Sequence, residues 1–426
     1  MGKCEQCGAW NSLAEEAVAT ARSLGKAKPA RSFTPTALKE VVTAKLPRIA
    51  SGIGEFDQVL GGGIVQGSVM LLSGDPGIGK STLVLQIAAN LAQKEPVLYV
   101  SGEESATQIK MRAERLGLEA SGLDLLTETN VDAIAATIND GAYKLVIVDS
   151  IQTMTVEALT GAPGTVGQIT ASSQVFQELA KRRDIAILII GHVTKEGNIA
   201  GPKILEHLVD VVLYLEGERY GSFKALRGIK NRFGSTSEVG IFEMGEAGLV
   251  PVANPSKALL AERLTGAGSV VLATLEGTRP LLVEVQALVT TTSFGYPKRT
   301  SVGFDLNRLN LLVAVLTKHA GINLSSSDIY VNVVGGLRVS EPAADLAIIL
   351  SIASAFSDIP VPAGLVAFGE VGLSGEVRSV SQVSKRLSEA KKLGLNVAIG
   401  PSHGAVTGLR AVANVKDAIA QLRDRS

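Results

Sequence analysis

Residues 74–82 read GDPGIGKST. The spacing G-x-x-x-x-G-K-S, met at Gly74, Gly79, Lys80 and Ser81, is that of a loop that wraps phosphate groups. Glycine lets backbone N–H groups approach the phosphates, a lysine at position 80 neutralises β/γ charge, and a serine hydroxyl at 81 ligates Mg²⁺. The whole run Gly74, Asp75, Pro76, Gly77, Ile78, Gly79, Lys80, Ser81 and Thr82 is therefore expected to hold ATP with Mg²⁺. Hydrolysis needs a carboxylate on the metal side, and Asp149, closing the apolar run LVIVD, has the right setting for a Walker B acid. It also needs a group that orients water. Glu103 and Glu104 in LYVSGEES compete for that role; one would act as base and the other would complement a helix dipole, with Glu103 narrowly preferred. Past a further strand, His192 and Thr194 of IIGHVTKEG stand where a γ-phosphate sensor would lie. Lys230 and Arg232 of KNRFG lie two apart, so on a strand they would share a face. Such a pair would suit fingers for a neighbouring subunit's γ-phosphate, against the plainer reading of a solvated hairpin edge.

Positioning these groups takes a sheet. The apolar runs VMLLS (69–73), VLYVS (97–101), KLVIVDS (144–150), IAILIIG (185–191) and VDVVLYLE (209–216) alternate with helical patterns such as STLVLQIAANLAQ. That rhythm predicts an α/β fold with a mostly parallel sheet between helices over about residues 50–250. Beyond Pro251 the texture changes to a second α/β region, with IYVNVV (329–334) as a strand and SQVSKRLSEAKKLG (381–394) as an amphipathic helix.

The chain's 426 residues suit two or three domains. Its 41 basic and 41 acidic residues cancel, so any nucleic-acid surface must be local. Two cysteines exclude a disulfide scaffold, and the apolar runs DIAILII and LAIILSIASAF are too short to span a bilayer. With no apolar stretch in residues 1–12 to serve as a signal peptide, a cytoplasmic location is expected. Residues 13–49 read as a linker, basic and proline-bearing between Arg22 and Arg48.

The runs RIASGIGEFDQVLGGG, GDPGIGKST, LYVSGEES, LVIVDSIQT, GHVTKEGNIAGPKILEHLVD and above all KNRFG resemble the bacterial RadA (Sms) family of DNA-repair ATPases, over nearly the whole chain. The resemblance implies a RecA-like ATPase core (50–255) in a homohexameric ring like those of DnaB-type helicases. It implies single-stranded DNA in the channel, and branch migration of recombination intermediates alongside RecA. Lys80 and Ser81 would then contact nucleotide and Mg²⁺, Asp149 would be the Walker B acid, and Lys230 and Arg232 would couple ATP to DNA. Loops 155–168 and 194–203, with Lys195 and Lys203, would face the channel. Neither loop carries an aromatic residue for base stacking.

Two departures accompany the resemblance. The family's zinc ribbon has two C-x-x-C knuckles, whereas residues 1–12 hold one, Cys4 and Cys7. Zinc needs four ligands, so Zn²⁺ is expected only if the missing knuckle is restored in a longer natural chain. The region 265–426 resembles the proteolytic domain of Lon, which needs a serine nucleophile and a lysine of depressed pKa. Here Ala343 takes the nucleophile position and Ser384 the lysine position, with Lys385 one residue away. An inactive scaffold is expected, with Lys298 and Arg299 of GYPKRTS as a possible DNA contact. The alternatives are an ATP-dependent Lon-like protease and a nucleotide switch that moves no DNA.

Overall fold

The computed structural model describes residues 47–192, 203–217, 223–293, 295–402 and 407–422. A two-residue pair, β1 (Arg48–Ile49) and β2 (Ile64–Val65), brackets helix α1 (Gly54–Val59). The first sheet then builds in alternation. β3 (Val69–Gly74) leads into α2 (Lys80–Ala92), β4 (Val97–Ser101) into α3 (Ala106–Arg115), and β5 (Leu123–Thr127) into α4 (Val131–Asp140). After these come β6 (Leu145–Asp149), α5 (Val166–Arg183), β7 (Ala186–Ile190), α6 (Lys203–Leu208) and β8 (Val211–Glu216). Three antiparallel strands, β9 (Phe223–Asn231), β10 (Val239–Gly245) and β11 (Gly248–Pro251), complete it.

The nine strands lie in the order β11-β10-β9-β8-β3-β7-β6-β4-β5, with β8 through β5 mutually parallel. β3, β6 and β7 are buried along their whole length. Each face therefore needs an apolar cover. One face packs on α2 through Leu83 and Ile87, the other on α4 and α5 through Ile134, Ile169 and Phe176. The five strands read from the apolar runs are all present; β5 and the antiparallel extension are additions.

The second sheet follows α7 (Pro255–Leu259). It uses β12 (Ser269–Glu276), β13 (Arg279–Thr291), β14 (Arg299–Val302) and, after α8 (Leu306–His319), β15 (Ser327–Val333). Helix α9 (Asp345–Ser357) precedes β16 (Leu365–Ala367) and a small ladder of β17 (Glu370–Val371) with β18 (Val377–Arg378). Then come α10 (Val383–Lys392), β19 (Val397–Pro401), β20 (Leu409–Val412) and α11 (Val415–Ala420). The order is β14-β15-β13-β12-β16-β19-β20.

The two sheets share a core, in which Ala225, Val239 and Ile241 of the first pack with Val270, Leu281 and Val283 of the second. Polar contacts reinforce the seam. Arg279 pairs with Glu55 at 2.7 Å, Arg227 pairs with both Glu216 and Glu276, and the Thr278 amide donates to the Ser237 carbonyl at 2.8 Å. No helix among the described residues is long and apolar enough to cross a membrane. Cys4 and Cys7 lie outside the described residues.

Candidate nucleotide site

The phosphate loop leaves β3 at Gly74 and enters α2 at Lys80, as its motif requires. Gly74 has φ 150°, and a Cβ there would collide with the Leu215 carbonyl; Gly79 has φ 113°, and a Cβ would meet Met244. Gly77, at φ 78°, faces open space. Asp75, Pro76 and Gly77 are exposed, while Ile78 is buried and anchors the loop in the core. Ser81 and Thr82 occupy the first turn of α2, half-buried.

Helix α2 has no side-chain cap and no acidic residue in its first turn; α5 and α10 share that, so what sets α2 apart is the glycine loop that leads into it from β3. Its first N–H groups and the positive end of its dipole are left for an anion. The fit to a nucleotide's phosphates with Mg²⁺ rests on that bare terminus and on the glycine geometry.

Lys80 is almost fully buried, and its Nζ donates to the Gly74 carbonyl at 2.8 Å and the Asp75 carbonyl at 3.0 Å. Burial brings its ammonium down to about 8, while Asp149, Asp75 and Glu103 act to keep it charged. Asp149 ends β6, buried, and its Oδ2 accepts a 2.6 Å hydrogen bond from Tyr99 Oη.

The two glutamates part company. Glu103 accepts a hydrogen bond from Ser150 and lies 3.7 Å from His192 Nε2. His192 contributes most to holding this carboxyl down at about 2; Ser150 and Lys80 add to the effect and burial opposes it. Glu104 turns away into an ion pair with Arg112 of α3. The turn carrying both is tight, since a Cβ at Gly102 would collide with Thr153. His192 follows β7, its carbonyl accepting from Gln152 at 3.3 Å. Thr194 and Lys195 lie outside the described residues; Lys203 opens α6. Tyr99, Ser150 and Gln152 went unread in the sequence. The signal for Tyr99 was a lone aromatic hydroxyl among the apolar residues of VLYVS.

Lys230 and Arg232 sit at the other end of the strands. Asn231, between them, pairs with Val211, which aligns with Met70, four residues and about 13 Å of strand from Gly74. The shared face expected for the pair does not hold, because β9 ends at Asn231. Lys230 Nζ donates to the carbonyls of Glu206 at 2.6 Å and Val209 at 2.8 Å, at the end of α6. Arg232 is exposed beside Asp210, 3.4 Å away. Loop 155–168 is less free than its glycines suggested: buried Gln168 accepts from the Val156 amide at 2.7 Å and donates to the carbonyls of Leu159 and Gly161.

In the second sheet region, Ala343 lies buried in a 3-10 turn and Ser384 lies on α10. Beside them Arg386, fully buried, forms an ion pair with Glu341 and donates to the Ala273 carbonyl at 2.7 Å. Glu341 also accepts from Thr274 Oγ1 at 2.9 Å and the Leu275 amide at 2.8 Å. Arg299 is engaged with the carbonyls of Lys298, Leu324 and Ser327.

Residues 34–198 match the family model of the AAA domain, and residues 298–403 that of subunit ChlI of Mg-chelatase. A DNA repair protein RadA from Bacillus subtilis is 50% identical over 408 residues, covering 94% of this chain and 89% of the relative. The RadA of Halalkalibacterium halodurans is 51% identical over 411 residues with the same coverage, and that of Brucella abortus 48% over 414, covering 94% and 88%.

The chain belongs to the RadA family of DNA repair proteins.

Its ATPase half is RecA-like, with the phosphate-loop strand β3 between β8 and β7 in the parallel order β8-β3-β7-β6-β4. Two solved structures are also similar: a KaiC-like protein from Pyrococcus horikoshii (21% identity, TM-score 0.41, 49% of this chain and 99% of that one) and the RadB recombinase (22%, 0.37, 48% and 99%).

Proposed function

We propose that this RadA-family ATPase is a DNA-dependent motor of recombinational repair. In this reading it is a homohexamer that binds single-stranded and branched DNA and promotes branch migration with RecA. The observation that carries the ATPase part is the glycine loop entering α2 at Lys80, with Asp149, Glu103 and His192 clustered beside that lysine. Ser81 and Asp149 would hold Mg²⁺, which would neutralise phosphate charge; Lys80 would exchange the carbonyls of Gly74 and Asp75 for the β/γ oxygens, and Glu103 would orient water. Glu103 rather than Glu104 takes that role because Glu104 is committed to Arg112.

Arg232 lies too far along the strands to serve its own phosphate loop, which favours action on the nucleotide of a neighbouring copy. Lys230 fastens the end of α6, the helix that follows residues 194–202, and so ties the KNRFG segment to one of the two candidate DNA loops. The second region, residues 265–426, is on this reading a Lon-protease-like scaffold without peptidase activity, because Ala343 offers no nucleophile.

ATP hydrolysis with and without single-stranded DNA, across a salt series, tests the motor. Stimulation that fades as salt rises is expected. Turnover indifferent to DNA at every salt concentration would point instead to a nucleotide switch.

A further inference from the structure

Tyr99 is the one hydroxyl-bearing aromatic in the apolar cluster that joins β4 and β6 to α2. It is fully buried. Burying a phenol oxygen among leucines and isoleucines costs free energy unless it finds a partner, and phenylalanine would fill the same volume without that cost. Its partner is Asp149 Oδ2 at 2.6 Å. The register explains the contact: Tyr99 pairs with Ile147 and Ser101 with Asp149, so the ring and the carboxylate lie diagonally on one sheet face, two residues apart.

We propose that Tyr99 is a positioning residue that presents Asp149 to Mg²⁺; this rests on the reading of Asp149 given above. The phenol occupies Oδ2 and fixes the carboxylate rotamer, so Oδ1 is the oxygen turned toward the metal side. Lys80 is the competing partner for the same carboxylate, and the tyrosine hydrogen bond keeps Asp149 from collapsing onto that ammonium when no nucleotide is bound. Partners of this kind typically govern metal affinity by about 10–100-fold while leaving direct ligand contacts intact.

The test is Mg²⁺-dependent binding of a fluorescent ADP analogue to the full chain, with wild type, Tyr99→Phe, Asp149→Asn and the double variant. Tyr99→Phe should raise the Mg²⁺ concentration for half-maximal binding about tenfold. Affinity for the nucleotide in EDTA should stay unchanged, and Tyr99→Phe should add nothing in the Asp149→Asn background. An unchanged Mg²⁺ midpoint, or an equal loss of affinity in EDTA, would overturn the assignment and make Tyr99 a packing residue. A wild type whose binding ignores Mg²⁺ would be a different failure, that of the Asp149 reading itself.

Discussion

The phosphate-loop edge of the first sheet and the ground around Ala343 in the second region treat buried polarity in opposite ways. At the loop edge, Ser73 Oγ, Gln152 Oε1 and His192 Nδ1 are buried with no hydrogen-bond partner. Around Ala343, the buried groups close on one another: Arg386 with Glu341 and the Ala273 carbonyl, Glu341 with Thr274 and Leu275, Asp345 with Arg308 and the Val371 amide. A protein tolerates unmet polar atoms where a ligand is to meet them and satisfies them where none is due. On the proposed reading, the first region reacts and the second holds shape.

The largest effect expected from that contrast is at Glu103. Glu103→Gln should lower ATP turnover by about 10²–10⁴-fold while nucleotide binding persists, and Glu104→Gln should leave the rate near wild type. Equal losses in steady-state assays would erase the distinction between the two. The closed region should respond in stability instead. Arg386→Ala strands Glu341 and should cost about 3–5 kcal/mol in denaturant unfolding, with a paired replacement of both by apolar residues recovering much of it.

A smaller effect concerns pH. The free protein's Lys80 loses its proton near 8, and bound phosphate favours the charged form, so nucleotide affinity should be steady below pH 8. Above it, the dissociation constant should climb by up to about tenfold per pH unit, because binding then requires proton uptake. Titrations between pH 7 and 9.5 that show no such rise would mean Lys80 stays charged throughout. The smallest expected effect is none at all: Ala343→Ser should yield no casein cleavage, since the lysine position is Ser384 and Arg386 is already committed to Glu341.

Much of the first region was legible because its chemistry is local in sequence. Gly74 to Thr82 is one stretch of sequence, and the parallel strands announce themselves as runs of four to six apolar residues. What the sequence could not resolve depends on side-chain direction across strands. Glu103 and Glu104 are adjacent and chemically alike, and only their three-dimensional partners separate them: Ser150 and His192 for Glu103, Arg112 of α3 for Glu104. Lys230 reads as a free cation until α6 is seen to end against it, and Arg299 until three carbonyls are found around it. On the Lon-like reading, alanine at 343 is visible in one letter, whereas the Arg386–Glu341 pair joins residues 45 apart and leaves no local pattern.

On the proposed reading, the open edge is completed by Arg232 of another copy. Lys80→Ala cannot hold its own nucleotide, and Arg232→Ala cannot serve its neighbour's, so each should be nearly inactive alone in DNA-stimulated ATP hydrolysis. Mixed in equal amounts under conditions that allow subunit exchange, they should regain turnover, because some interfaces then combine an intact loop with an intact Arg232. A mixture that stays at the mean of the two separate variants would contradict the account and confine the site to a single chain.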